Sequence, residues 1–254
     1  MNKRMHLSKR LQMVANCVSN KSLVADVGCD HAYISIYLVE NEIALHSIAL
    51  DINEGPLRKA QENVREYGYE EKIEVRLSNG LNKLSPGEVN SIVIAGMGGI
   101  LMVQILSQGS QSVQKAKELI LQPQSEVEKV REYLHNIGFG IRKEDMCIDD
   151  GKYYTVIHAI NLHGSEPEIR EVGDNKNRGM ESSRVIRERA HNKYGELLLK
   201  AKHPILEDFL RKEELKAKQI LCSLKENLSE KNSVRLKEIE AELAMLKYAI
   251  SYYE

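Results

Sequence analysis

The sequence predicts an α/β fold, in which a mostly parallel sheet ends in an antiparallel hairpin and is followed by a helical C-terminal region. Through about residue 160, short β-branched apolar runs alternate with helix-like segments, which is typical of a parallel sheet covered on both faces. Residues 138–148 and 152–161 are joined by Asp149-Asp150-Gly151, and Asp-Gly favours the tight turn of a hairpin. Beyond residue 181 the apolar residues return at helical spacing.

The elements of the α/β part follow in order. A leading helix is predicted by apolar residues that recur every three or four positions: Leu7, Leu11, Val14 and Val18. The apolar run 22–27 predicts the first strand, and a helix over 32–40 precedes a second strand over 46–51. Pro56 opens the next helix, which runs to residue 67, because proline suits a first turn whose amides need no partner. The remaining predicted strands and helix cover 72–77, 91–95, 118–121 and 126–136.

The chain is predicted to have two parts. Apolar periodicity lapses over 162–181, where Gly, Pro, Asn and charged residues dominate, so we expect a linker there. This gives one domain at 1–162 and a linker plus helical domain at 163–254. The helical domain carries a seam with coiled-coil spacing, formed by Ile239, Leu243, Leu246, Ile250 and Tyr253. A partner helix, joined to it by a turn at 229–233, is expected from Ile205, Phe209, Ile220 and Leu224.

The composition is that of an ordinary folded protein. The 254 residues are 42% hydrophobic and 29% charged, with a net charge of −1. The most apolar run, 92–103, is short and interrupted by glycines, so we expect neither a signal peptide nor a membrane-spanning helix. The four cysteines form no Cys-x-x-Cys pair, so no zinc site or disulfide framework is expected. A reducing cytoplasm is the predicted location.

Two clusters of basic residues stand out against the near-zero net charge. The first precedes every acidic residue of the chain and consists of Lys3, Arg4, Lys9, Arg10 and Lys21. The second consists of Arg184, Arg187, Arg189, Lys193, Lys200 and Lys202. Such clusters suit contact with nucleic-acid phosphates, and a solvated helix face has the same composition.

Two acidic residues at the ends of predicted strands indicate a nucleoside cofactor. Asp26 is followed by Val27 and Gly28 and then a helix; the glycine lets the backbone approach a ligand, and the helix N-terminus favours a carboxylate group of that ligand. Asp26 itself can engage an ammonium group. Asp51 ends the second strand, where it can accept hydrogen bonds from both hydroxyls of a ribose. NAD is one candidate, but Asp30 stands where the second glycine of a dinucleotide-binding loop is required.

Two further strand ends fit the same ligand. Asn79 follows the third strand and can both donate to and accept from adenine, although an Asn-Gly turn also has a purely structural use. Residues 95–99, Ala-Gly-Met-Gly-Gly, end the central strand where ligands of open α/β sheets bind. Small residues there clear space for a methyl donor and a planar base, or allow close packing of strand and helix. The antiparallel hairpin that closes the sheet is typical of a methyltransferase rather than a dehydrogenase.

Three motifs resemble the bacterial tRNA (adenine-22-N1)-methyltransferase family. They are DVGCDHAY at 26–33, AGMGG at 95–99 and LQP at 121–123, and the resemblance covers residues 1–162. It implies a class I Rossmann-type methyltransferase domain with S-adenosyl-L-methionine as cofactor and N1 of a tRNA adenine as acceptor. It also implies that the C-terminal helical hairpin serves tRNA binding.

The resemblance assigns roles to individual residues. By motif, the cofactor contacts are Asp26, Gly28, Asp51, Asn79 and Gly96, and the predicted catalytic residues beside the target base are Asp30, His31 and Met97. Adenine N1 has its own lone pair, so a base need only accept a hydrogen bond from the exocyclic amine. Asp30 is the first candidate and His31 the second, although Asp30 could instead cap the following helix. The predicted phosphate contacts are Lys3, Arg4, Lys9 and Arg10.

The sequence departs from the family pattern at two places. Cys29 stands where serine or threonine is expected, and 173–189 is longer and more charged than expected. The longer segment makes the correspondence of the C-terminal residues to the family less certain. Two other functions stay open. A small-molecule methyltransferase would share the cofactor pocket but would not need two basic clusters, and a non-catalytic RNA-binding scaffold would bind tRNA without consuming cofactor.

Overall fold

The computed structural model describes residues 4–162, 178–226 and 230–254. Lys3, one of the predicted phosphate contacts, lies outside these ranges, as does most of the predicted linker. The chain divides into two compact units, Met1–Glu166 and Pro167–Glu254. Within the described ranges, no helix combines the length and the apolar character that crossing a membrane requires.

The first unit is a seven-stranded sheet with helices on both faces. Its strands are β1 (Ser22–Val27), β2 (Ala44–Asp51), β3 (Ile73–Leu77), β4 (Ser91–Met97), β5 (Glu118–Pro123), β6 (Phe139–Asp149) and β7 (Lys152–Asn161). Its helices are α1 (Lys9–Ala15), α2 (Tyr33–Glu40), α3 (Glu54–Tyr67), α4 (Gly99–Gln108), α5 (Ser110–Lys115) and α6 (Val127–Asn136).

The sheet has the order β3-β2-β1-β4-β5-β7-β6. All neighbouring strands are parallel except β7, which is antiparallel to both β5 and β6. The predicted parallel sheet with a closing hairpin is therefore confirmed. Asp150 and Gly151 in the hairpin turn both have positive φ, 48° and 72°, as a two-residue turn of this kind requires.

The order of the strands also determines where a ligand-binding crevice forms. The chain moves outward from β1 through β2 to β3, then returns to the other side of β1 to form β4. Connections that leave a sheet in opposite directions open a crevice at the carboxyl ends of the strands. Asp26 lies within β1 and pairs with Ala49 of β2 and Val93 of β4, so it stands beside this crevice.

Two apolar cores cover the two faces of the sheet. Val24 and Ala25 are neighbours in β1 and pack into different cores, because successive side chains of a strand point to opposite faces. One core is formed with α1, α2 and α3, the other with α4, α5 and α6.

Helices α4 and α5 were not predicted from the sequence. Glycines flank α4, and Ile100 and Leu101 on its outer side are exposed while Met102 and Leu106 are buried. Apolar residues on both sides of a helix blur the periodicity that identifies one face as buried. The same region also extends β4 to Met97, two residues beyond the predicted end.

The second unit is helical, with α7 (Arg178–Tyr194), α8 (Glu196–Lys200), α9 (Pro204–Glu226) and α10 (Glu230–Ile250). Helix α10 packs against α9 and α7 and buries the predicted seam residues Ile239, Leu243, Leu246 and Ile250.

Two predictions for this unit are wrong in detail. The face that α9 buries carries Leu206, Leu210 and Ala217, whereas the predicted seam residue Ile220 is exposed, because α9 is apolar over a wider arc than one stripe. Residues 230–233 of the predicted turn are already helical, and the preceding residues 227–229 lie outside the described ranges.

Candidate functional site

A cavity of about 500 Å³ lies at the carboxyl ends of β1, β2 and β4. The structure brings together there all of the predicted cofactor and catalytic residues: Asp26, Gly28, Asp30, His31, Asp51, Asn79, Gly96 and Met97. A volume of this size suits a small organic ligand, since ligand pockets commonly span about 300–1,000 Å³.

The loop between β1 and α2 forms one wall of this cavity. Its fold requires left-handed backbone at Gly28, Asp30 and Ala32, with φ of 70°, 51° and 59°. The amides of Gly28 and Cys29 both donate to the Leu50 carbonyl, at 2.8 and 3.0 Å, which fixes the loop to β2. A side chain at Gly28 would overlap the Cε methyl of Met97. Glycine is therefore needed here both for its conformation and for the space beside Met97.

Asp26 is a buried carboxylate at the base of the cavity, only 3% exposed. Ser35 Oγ donates to its Oδ2 at 2.9 Å, and Ser47 Oγ donates to Ser35 Oγ at 2.9 Å. Burial raises the pKa of Asp26 to about 6, although the hydrogen bond from the Ser35 hydroxyl acts in the opposite direction. In the described ranges no cationic side chain pairs with this carboxylate.

Asp51 is held firmly at the end of β2. Its Oδ1 accepts the Asn53 amide at 2.9 Å and its Oδ2 accepts the Asp30 amide at 3.3 Å. The backbone of the next loop is attached to the same place, because the Ser78 amide donates to the Asp51 carbonyl at 2.8 Å. Asn79 follows on this loop with an exposed side chain, so Asp51 and Asn79 face the same end of the cavity.

Asp30 and His31 lie together at the rim of the cavity. His31 Nε2 is 3.5 Å from Asp30 Oδ1, and the His31 ring stacks on Tyr33 with 5.3 Å between ring centroids. His31 Nδ1 is buried and has no hydrogen-bond partner among the described residues. Tyr33 is 40% exposed, whereas an aromatic side chain in a core is buried. Its exposed ring can stack on a flat ligand.

The glycines of the 95–99 motif have different uses. Gly96 lies at an irregularity between β4 and β5, with a φ of 82°, and it lines the cavity. Gly99 instead packs against the backbone carbonyls of Ser125 and Glu126, and a Cβ at this position would clash with both. Only part of the motif therefore serves the cavity, and the packing interpretation is correct for Gly99.

The position of Arg10 differs from the predicted one more than that of any other candidate site residue. It was grouped with surface residues that contact phosphates, but its side chain lines the cavity, unlike those of Arg4 and Lys9. Its Nη1 donates to Gln122 Oε1 at 2.7 Å, and its guanidinium lies 5.5 Å from the Tyr154 ring centroid. No carboxylate of the described residues forms an ion pair with it. The cavity thus contains a guanidinium group that is held by a neutral amide and an aromatic ring.

Further residues line the cavity, and of these only Tyr33 was expected there from the sequence. They are Leu11, Tyr33, Ile34, Ile52, Asn53, Leu101, Ile105 and Gln124, most of them apolar. Ile52 and Leu101 are exposed large apolar side chains, so they give the polar cavity an apolar rim. Among the described residues, no group of three or more His, Cys, Asp or Glu side chains is arranged to hold a metal ion.

Comparisons with known proteins place the chain in a family. The family described as "Methyltransferase domain" matches residues 7–157. The tRNA (adenine(22)-N(1))-methyltransferase of Bacillus subtilis (strain 168) is 40% identical over 153 residues, which cover 60% of this chain and 64% of that protein, less than two thirds of its length.

Solved structures extend the similarity to nearly the whole chain. The B. subtilis M1A22 tRNA methyltransferase is 31% identical with a TM-score of 0.81, covering 97% of this chain and 100% of that one. Streptococcus pneumoniae Sp1610 in complex with S-adenosyl-L-methionine is 30% identical with a TM-score of 0.76, covering 96% and 100%. The resemblance seen in the motifs is confirmed: the chain belongs to the methyltransferase-domain family, among the bacterial tRNA (adenine-22-N1)-methyltransferases.

Proposed function

We propose that this protein transfers a methyl group from S-adenosyl-L-methionine to N1 of adenine 22 in tRNA. The observation that carries the proposal is the single cavity in which Asp26, Asp51 and Gly96 meet at the switch point of the sheet. The relatives named above support it, because one carries this activity in its name and another was solved with this cofactor.

Different residues of the cavity suit different groups of the cofactor. Asp26 is a buried carboxylate without a cationic partner in the described ranges, and it suits the ammonium group. Asp51 has both oxygens oriented by backbone amides and suits the ribose hydroxyls. Asn79, on the adjacent loop, suits the adenine ring. When bound, S-adenosyl-L-methionine supplies an electrophilic methyl group on a sulfonium sulfur.

Catalysis then depends on positioning. Holding two reactants in line can contribute about 7–11 kcal/mol to lowering the barrier. We propose that Asp30 accepts a hydrogen bond from the exocyclic amine of the target adenine and that His31 orients Asp30 across their 3.5 Å contact. Met97 and Tyr33 would flank the base. Because N1 lies on the pairing edge, the adenine must leave its stack, at a cost of about a few kcal/mol.

Binding of tRNA is proposed to use basic residues of both units. Arg4 and Lys9 belong to the first cluster and do not line the cavity. In the second cluster several cations are already paired: Arg184 with Glu188, Lys193 with Glu242 and Lys200 with Glu196. Arg187 and Arg189 form no ion pair with any residue that the structure describes, so we expect them to contact phosphates most directly. We accordingly propose that 1–162 is the catalytic domain and contributes part of the tRNA contact, that 163–254 is a linker plus a helical domain that binds tRNA, and that the protein acts in the cytoplasm.

The proposal is tested by methyl transfer in vitro. The purified protein is incubated with labelled S-adenosyl-L-methionine and one of three acceptors: an unmodified tRNA transcript that carries A22, the same transcript with guanine at 22, and a tRNA-free metabolite extract. We expect label only in the first. Label in the metabolite extract would favour a small-molecule methyltransferase, and cofactor-independent tRNA binding with no transfer would favour a scaffold.

A further inference from the structure

We propose that Ser35 and Ser47 are positioning residues that orient the Asp26 carboxylate to receive the ammonium group of the methyl donor. This inference rests on the proposed function, and it adds two residues that do not line the cavity themselves.

The three side chains form a directed chain of hydrogen bonds. Ser47 lies in β2, Ser35 in the first turn of α2 and Asp26 in β1, and the first two are fully buried. Ser47 Oγ donates to Ser35 Oγ, and Ser35 Oγ donates to Asp26 Oδ2, each at 2.9 Å. Because a hydroxyl has only one hydrogen, the bond from Ser47 leaves the Ser35 hydrogen for the carboxylate.

Helix α2 fixes the position of Ser35. Ser35 is the third residue of α2 and is fully buried, and its hydroxyl donates to Asp26 at 2.9 Å. Asp26 thus accepts from Ser35 on the protein side and faces the cavity on the other. The hydroxyl of Ser35 consequently fixes which way the carboxylate turns.

The chain of hydrogen bonds from Ser47 through Ser35 also affects the charge of Asp26. Burial raises the pKa of this carboxyl to about 6, and the hydrogen bond from the Ser35 hydroxyl limits the rise. Other titratable or charged groups also line the cavity: Arg10 from α1, Cys29, Asp30 and His31 from the loop, Tyr33 from α2 and Asp51 from β2. Asp51 raises the pKa of Asp26 further. Without the Ser35 hydroxyl, more of the carboxyl is protonated at neutral pH, and a protonated carboxyl does not attract an ammonium group.

The experiment is a titration of binding against pH. Calorimetry from pH 5.5 to 8.5 measures the affinity of the wild type, Ser35→Ala and Ser47→Ala for two probes. S-adenosylhomocysteine carries the ammonium group, and 5′-methylthioadenosine lacks the whole amino-acid end. Ser112→Ala is the matched control, because Ser112 is also a buried serine whose Oγ donates one hydrogen bond, to the Leu84 carbonyl at 2.7 Å, away from the cavity.

The expected result is specific to probe and pH. A hydrogen bond to a charged group is worth enough to move a pKa by about one to two units, so Ser35→Ala weakens S-adenosylhomocysteine binding roughly two- to tenfold at pH 7 and less at pH 8.5. Ser47→Ala shifts the profile in the same direction by a smaller amount. Binding of 5′-methylthioadenosine is unchanged in both variants, and Ser112→Ala leaves both profiles unchanged.

Two outcomes would overturn the inference. A loss that is equal for both probes means that the serines only support the fold. An unshifted profile in both variants means that they do not act on Asp26. If the wild type binds neither probe, the proposed function fails as well, which is a distinct result.

Discussion

Replacing Gly28 by alanine tests whether the loop between β1 and α2 shapes the cofactor cavity. Gly28 has a φ of 70°, and an alanine in this left-handed conformation costs about 1–2 kcal/mol. Its Cβ would also overlap the Met97 Cε methyl within the cavity. Met97 is flexible, so we expect the fold to survive with Met97 displaced. We predict that Gly28→Ala loses about 1–2 kcal/mol in free energy of unfolding and at least about tenfold in S-adenosylhomocysteine affinity, equivalent to about 1.4 kcal/mol.

Gly68 supplies the control for this variant. It ends α3 with a φ of 74°, and nothing lies within 4 Å of where its Cβ would be. Gly68→Ala therefore carries the same backbone cost without touching the cavity. Urea denaturation measures the stability of both variants, and calorimetry measures their affinity. Equal losses of affinity in the two variants, or wild-type binding by Gly28→Ala, would show that Gly28 does not shape the cofactor cavity.

Three more predictions follow from the site and the core. Asp51→Asn weakens S-adenosylhomocysteine binding by about tenfold or more in calorimetry, because it removes the charged carboxylate that accepts hydrogen bonds from the ribose hydroxyls; undiminished binding would remove Asp51 from the pocket. Lys9→Glu weakens only tRNA binding in filter assays, whereas Arg10→Glu also weakens cofactor binding because Arg10 lines the cavity; equal behaviour of the two variants would contradict this placement. Glu118→Gln lowers the free energy of unfolding by about 3 kcal/mol at pH 7, whereas the exposed Glu62→Gln changes it by only a few tenths.

The Glu118 prediction has a definite pH dependence. Burial raises the pKa of Glu118, but hydrogen bonds from His158, Ser19 and Ser91 outweigh burial and lower it to about 2. A carboxylate whose folded pKa is depressed stabilises the fold above its unfolded pKa of about 4.5. The difference between wild type and Glu118→Gln should be constant near neutral pH and shrink between about pH 4.5 and 2. A difference that persists at pH 2 would contradict this account.

Much of the α/β unit could be predicted because its signals are local. Strand β1 and the hairpin were correct in position, since apolar runs and Asp-Gly turns are encoded in adjacent residues. The acidic residues at strand ends could be placed together because parallel strands bring their carboxyl ends to one edge. Helices α4 and α5 could not be predicted from the sequence, because α4 is apolar on its exposed as well as its buried side.

The parts of the site that were missed depend on contacts between distant segments. Arg10 enters the cavity because its amide donates to Asp149 Oδ2 at 3.1 Å and its guanidinium meets Gln122 and Tyr154, more than one hundred residues away in sequence. Nothing in the basic N-terminal cluster distinguishes it from Lys9. Ser35 and Ser47 were missed for the same reason, since each is an ordinary serine until the fold aligns them behind Asp26.

Mapping the methylated nucleoside shows whether N1 of adenine 22 is the acceptor. After reaction with unmodified tRNA, nuclease fragments are separated and the modified nucleoside is identified by mass spectrometry, with its position read from a reverse-transcription stop. We predict N1-methyladenosine at position 22 and no other new methyl group. Methylation of a different atom or base, or of a different position, would contradict the assigned acceptor, and unmodified tRNA after cofactor binding has been verified would contradict the assigned activity.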